Sequence, residues 1–128
     1  MGAAAEAAGL VDRVHCPGLV LNAAAPFGAI DLYWTINVRE LTGIAAMEAA
    51  MFGLPVIAIQ LDPTYRPAPD DWIPSCHEPS WLAESTSRLL GDRRAQSALA
   101  RAQQRYARAN HSVEAMAQAY VRLYGEAS

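Results

Sequence analysis

The chain has 128 residues, of which 52% are hydrophobic and 18% charged, with a net charge of -3 and a pI near 5.5. That length predicts one domain, 1–128, with room for a packed core, and the mildly acidic balance gives no electrostatic case for nucleic acid or an anionic membrane as partner. Apolar runs fall short of the ~20 residues a membrane helix needs, so no membrane span is expected.

The opening MGAAAEAAGL has no basic stretch and carries Glu6, a poor match to a signal peptide, so a cytoplasmic setting is expected. Cys16, Cys76, His15, His77 and His111 are scattered without metal-ligand spacing, so neither a metal nor another cofactor is expected. All ten basic residues are arginine. Those from Arg88 to Arg122 read as a solvated helical face, with an anion-binding surface as the sharper alternative.

Taken in order, Ala3 to Ala8 predicts a helix stopped by Gly9. Val14 to Cys16 reads as a brief strand closed by Pro17-Gly18. Leu19 to Ala25 reads as a short helix interrupted by Pro26 and Gly28. Ile30 to Ile36, rich in β-branched and aromatic residues, predicts a buried strand. A helix then runs from about Gly43 to Phe52, with Thr42 as its N-cap and Gly53-Leu54-Pro55 as its end.

Pro55 to Gln60 is a continuous apolar run of strand length, the pattern of a parallel strand covered on both faces. Strand, loop, helix, turn and strand make a βαβ unit. The proline-rich stretch Leu61 to Cys76 reads as a loop with a minimal strand at Trp72-Ile73. Three helices follow, each with a core-facing stripe. The first carries Trp81, Leu82, Ser85 and Leu89, and ends at Gly91. The second carries Ala95, Ala98, Leu99, Ala102 and Tyr106. The third carries Val113, Met116, Ala117, Tyr120, Leu123 and Tyr124, with Ser112 as its cap. The fold class expected is α/β, a Rossmann-like partial domain: a small parallel sheet flanked by helices, with a helical C-terminal tail.

The chemistry gathers at Arg39 to Pro55, RELTGIAAMEAAMFGLP. From Ile44 to Phe52 every residue is apolar except Glu48, and an unpartnered carboxylate is costly to bury. In an open parallel sheet, ligands sit beyond the carboxyl ends of the strands, where loops enter helix N-termini. The backbone N–H groups of Thr42, Gly43, Ile44 and Ala45 are available to an anion there. Glu40 in the preceding loop and Glu48 in the second turn can face the same mouth, because helical side chains lean toward the N-terminus. Amides for a phosphate and carboxylates for hydroxyls suggest a phosphorylated, polyhydroxylated ligand. A surface Glu40, and a Glu48 either satisfied by a backbone donor or lying on a wet face, are the plainer alternatives.

At these residues the chain resembles the C-terminal donor-binding half of the GT-B glycosyltransferases, specifically the retaining family 4 type. The likeness rests on an E-x7-E run from Glu40 to Glu48, followed in register by Gly53-Leu54-Pro55-Val56-Ile57-Ala58. Gly9 to Val14 and Gly18 look like the turn and strand before the motif, and Trp81-Leu82-Ala83 and Ser112 to Tyr124 look like the C-terminal helices. The resemblance implies half of a GT-B fold that binds a UDP- or GDP-linked nucleotide-sugar donor. By it, Glu48 would hold the ribose hydroxyls, Glu40 the transferred sugar, and the amides at Thr42, Gly43 and Ile44 the diphosphate. The transfer it implies is of hexosyltransferase type, with retention of configuration and without a dedicated metal.

Three departures accompany the likeness. Leu41-Thr42-Gly43 keeps one glycine where the family carries a Gly-Phe-Gly type run. Asp62 to Pro67 replaces a Gly-Gly turn and another acid. These 128 residues also include no acceptor-binding domain, so transfer would require that domain or a partner chain. The alternative from another class is a non-catalytic interaction or structural remnant that self-associates as a homo-oligomer. An unrelated α/β domain with a coincidental glutamate pair is a third reading.

Overall fold

The computed structural model describes residues 2–22, 24–37, 43–62, 64 and 72–126. Strands β1 (Tyr33–Asn37), β2 (Val56–Gln60) and β3 (Ser75–Cys76) form one parallel sheet in the order β1-β2-β3. Helix α1 (Gly2–Ala7), a 3-10 turn (Val11–Arg13) and the short α2 (Ala24–Phe27) precede the sheet. Helix α3 (Ile44–Phe52) connects β1 to β2, and α4 (Pro79–Gly91), α5 (Arg93–His111) and α6 (Val113–Glu126) follow β3. The protein is an α/β, Rossmann-like partial domain with a helical C-terminal tail.

Strand β2 is buried along its whole length, as its uninterrupted apolar run predicts. Its two faces meet different layers. Val56 and Ala58 pack with Phe27, Ala46, Ala49, Ala50, Leu54, Ile73 and Ala107. Ile57 and Ile59 pack with Leu82 and Leu89, flanked by Trp81, Ala95 and Leu99. Alternation along the strand thus assigns one face to α3 and the other to α4.

Helix α3 is apolar nearly all round, yet only the stripe Ala46, Ala49 and Ala50 is buried. These small side chains let α3 lie close to the sheet and to α5. Its end is a Schellman motif. Gly53 sits at φ 98° and ψ 21°, the Gly53 N–H donates to Ala50 O, and the Leu54 N–H donates to Ala49 O, both at 3.0 Å. Pro55 then starts the turn into β2.

Helix α5 straddles the sheet edge. Ala95 and Leu99 pack in the α4 layer while Ala107 is buried in the α3 layer. Between them Gln103, 1% exposed, accepts from the Val56 N–H and donates to Val56 O, each at 2.8 Å, and donates to Trp72 O at 3.1 Å. Gln96 and Gln104 donate to Asp31 O and Met51 O, both at 2.9 Å. Three glutamines on one helix therefore satisfy four backbone carbonyls, at Asp31, Met51, Val56 and Trp72. Asp92 caps the helix through its Oδ1, which accepts from the N–H groups of Arg94 at 2.9 Å and Ala95 at 3.0 Å.

Several local expectations change. Val14 to Cys16 is exposed and forms no strand, and no strand among the described residues pairs with it. The helix expected at Leu19 to Ala25 begins instead at Ala24, because Asn22 Oδ1 accepts from the Ala24 N–H at 3.0 Å. Leu19 and Leu21 are left 90% and 95% exposed. Pro26 lies inside the first turn of α2, where its missing N–H has no intrahelical acceptor to lose. The minimal strand forms at Ser75–Cys76 rather than Trp72-Ile73, with Ile73 turned into the core instead.

The α4 stripe is as expected, with Leu82, Ser85 and Leu89 buried. In α5 the buried residues are Ala100, Gln103 and Ala107, while Ala98 and Ala102 are exposed. The six-residue stripe expected to face a core in α6 is not buried at all. Ser112 does cap α6, its Oγ accepting from the Ala115 N–H at 3.1 Å. Among the described residues, no helix is long and apolar enough to cross a membrane.

Candidate site at the carboxyl edge of the sheet

The parallel crossover from β1 to β2 returns α3 antiparallel to the strands, so α3 begins at their carboxyl ends. Its N-cap is Gly43, extended at φ -69° and ψ 152°, not Thr42 as the sequence suggested. Gly43 O accepts from the N–H groups of Ala46 at 3.0 Å and Met47 at 3.3 Å. The cap offers no side-chain acceptor. Among the described residues no side chain caps the N–H groups of Ile44 and Ala45, which stand at the positive end of the helix, in the position where helices receive anions.

Glu48 is exposed, whereas the adjoining Ala49 and Ala50 are buried. Burial cost thus explains nothing about this carboxylate, and the premise of a charge enclosed in an apolar helix is corrected. Ile44 and Glu48 are four residues apart, so they share a face. Ile44 is 72% exposed at the start of that face. Glu48 thus lies about one turn along α3 from its opening, on the solvent side. It also lines a shallow hollow of about 370 Å³ with Ala24, Phe27, Met51 and Phe52.

Of the five residues singled out from the sequence, Gly43, Ile44 and Glu48 fall on this one helix and along its opening face. Glu40 and Thr42 lie outside the described residues. The arginines Arg93, Arg94, Arg101, Arg105 and Arg108 are exposed on α5, a solvated face remote in sequence from the α3 opening. A second hollow, of about 380 Å³, lies between α4 and α5, lined by Trp81, Arg88, Leu89, Asp92, Ala95 and Leu99 among others. It sits toward the amino ends of the strands, away from the chemistry.

Sequence reasoning passed over Gln60, the last residue of β2. It is 2% exposed, and among the described residues neither its Nε2 nor its Oε1 has a hydrogen-bond partner. Its backbone is engaged, since the His77 Nδ1–H donates to Gln60 O at 3.1 Å. The buried Oγ of Ser75 likewise has no partner. A polar residue closing an otherwise apolar strand, VIAIQ, was the available signal.

With that geometry in place, one relative bears on its meaning. The chain is 34% identical to a D-inositol 3-phosphate glycosyltransferase from Salinispora tropica over 128 aligned positions. The match takes in 96% of this chain. A glycosyltransferase relationship is supported. The chain spans about a quarter of that relative's length, 26%. No protein-family model matches, and no solved structure matches.

Proposed function

We propose that this chain is the donor-binding half of a GT-B glycosyltransferase of the retaining family 4 type, a single domain that binds a nucleotide sugar at the opening of α3. The observation that carries the reading is the position of Glu48. It is exposed about one turn into α3, the helix that opens at the carboxyl edge of a parallel sheet. Support comes also from the glycosyltransferase likeness across 96% of the chain.

In this reading each group has a chemical task. The Ile44 and Ala45 amides, with the helix dipole behind them, receive the diphosphate without a bound metal. The Glu48 carboxylate accepts hydrogen bonds from ribose hydroxyls. Glu40 and Thr42 are assigned to the transferred sugar and the diphosphate by family resemblance. Transfer of the hexosyl group, with retention, then requires an acceptor-binding domain from the same polypeptide or a partner chain.

The test is a titration of the isotopically labelled chain with UDP- and GDP-linked sugars. Amide shifts concentrated at Gly43 to Glu48 are expected, and their absence at millimolar ligand sinks the reading. A second reading, a self-associating non-catalytic remnant, draws on α6. Val113, Met116, Tyr120, Leu123 and Tyr124 are all exposed there, an apolar face of the kind partners cover. Sedimentation of the isolated chain separates the two, because only self-association makes its mass concentration-dependent.

A further inference from the structure

Val56 and Ala58 pack against the α3 alanines. Gln60, at the next even position of β2, therefore belongs to the same face, at the end of the sheet where α3 begins. Ser75 pairs in register with Ala58, which places it on that face too, diagonal to Gln60. Here the side-chain amide of Gln60, 2% exposed, and the buried hydroxyl of Ser75 carry three polar atoms without partners among the described residues. Buried polar atoms are nearly always paired, and each exception asks for an explanation. Leaving such a group unmet costs about 1–3 kcal/mol.

We infer that Gln60 and Ser75 form a polar subsite for sugar hydroxyls, deepening the donor-binding reading on which the inference rests. The pairing of atom types selects the ligand. Gln60 presents a donor and an acceptor, and the Ser75 hydroxyl is both. A phosphate only accepts, so it leaves Gln60 Oε1 unmet. A hydroxyl donates and accepts, and adjacent hydroxyls on one ring satisfy all three atoms together. The uncapped α3 turn takes the diphosphate, and the neutral pair reads the sugar attached to it. Gln60 is then a specificity residue retained at a cost to the stability of the empty protein.

The test compares the wild-type chain with Gln60→Leu and Ser75→Ala, measuring thermal midpoints and affinities for UDP-glucose and UDP. Removing an unmet buried amide leaves the empty Gln60→Leu chain as stable as wild type or more so. The same variant binds UDP-glucose about tenfold more weakly, the loss of one or two hydrogen bonds. A loss confined to UDP-glucose assigns the subsite to the transferred sugar, and an equal loss for UDP assigns it to ribose. Ser75→Ala, a smaller change, gives the same pattern if Gln60→Leu does not fold. Wild-type affinity in the variants, with lowered stability in Gln60→Leu, overturns the inference and leaves a water-filled structural pair. A wild-type chain that binds neither nucleotide overturns the underlying reading first, and this inference with it.

Discussion

Gln103 holds both backbone polar groups of Val56, its Oε1 accepting from the N–H and its Nε2 donating to the carbonyl, each at 2.8 Å. Strand β3 pairs with β2 only from Ala58 onward. At Val56 the open side of the sheet has no strand, and the primary amide of Gln103 takes the place of one. The same Nε2 reaches Trp72 O at 3.1 Å, so one side chain from α5 ties the start of β2 to the approach to β3.

Replacing Gln103 by Leu strands the buried Val56 N–H and Val56 O, and the partly buried Trp72 O. The expected loss is about 2–4 kcal/mol, from several unmet buried groups of about 1–3 kcal/mol each with partial relaxation. Gln103→Glu keeps the acceptor for Val56 N–H but faces two carbonyls with a carboxylate, so it is expected to be at least as damaging. Urea unfolding of both variants checks this. A midpoint equal to wild type would show that the amide is not acting as a strand.

Gly53→Ala tests the end of α3. At φ 98° an added Cβ is strained, and it would also approach Gln104 Nε2 at 3.2 Å. A loss of at least about 1 kcal/mol is expected, because alanine at positive φ opposes the native backbone. Thermal unfolding gives the value. A neutral result would mean that the turn into β2 can be made without the left-handed residue.

Helix α6 is expected to be the least protected long helix. None of its residues is buried, whereas α5 buries Ala100, Gln103 and Ala107. Local opening follows burial. Hydrogen exchange in α6 should therefore run well ahead of α5, and Ser112→Ala should accelerate it by removing the cap at 3.1 Å. Protection of α6 equal to that of α5 would reveal a partner on its apolar face.

These particulars mark how far the sequence could be read. The buried run of β2 and the Gly53-Leu54-Pro55 ending of α3 were legible, because apolar continuity and a helix-stopping glycine act locally. The α4 stripe was legible for the same reason. The role of Gln103 was not, since a glutamine in an arginine-rich helix looks like solvent-facing surface, and only the two-residue length of β3 makes its amide necessary. Periodicity found the apolar stripe of α6, but periodicity cannot say whether anything packs on it. At the proposed site, the E-x7-E spacing pointed to α3, whose opening lies at the carboxyl edge of the sheet. Its stated reason, the cost of burying a charge, failed because Glu48 turned out exposed.

Glu48→Gln separates binding from folding. Glu48 is exposed, so stability should stay within about 0.5 kcal/mol of wild type. Loss of a charged acceptor for ribose hydroxyls should still weaken nucleotide-sugar affinity by about tenfold or more. The most direct measurement is a heteronuclear amide titration of wild type and Glu48→Gln with UDP- and GDP-linked sugars. The account predicts saturable shifts at Gly43, Ile44, Ala45 and Glu48 in the wild type, with the curve displaced to higher ligand in the variant. Identical curves for the two chains, or no shifts along α3, would contradict it.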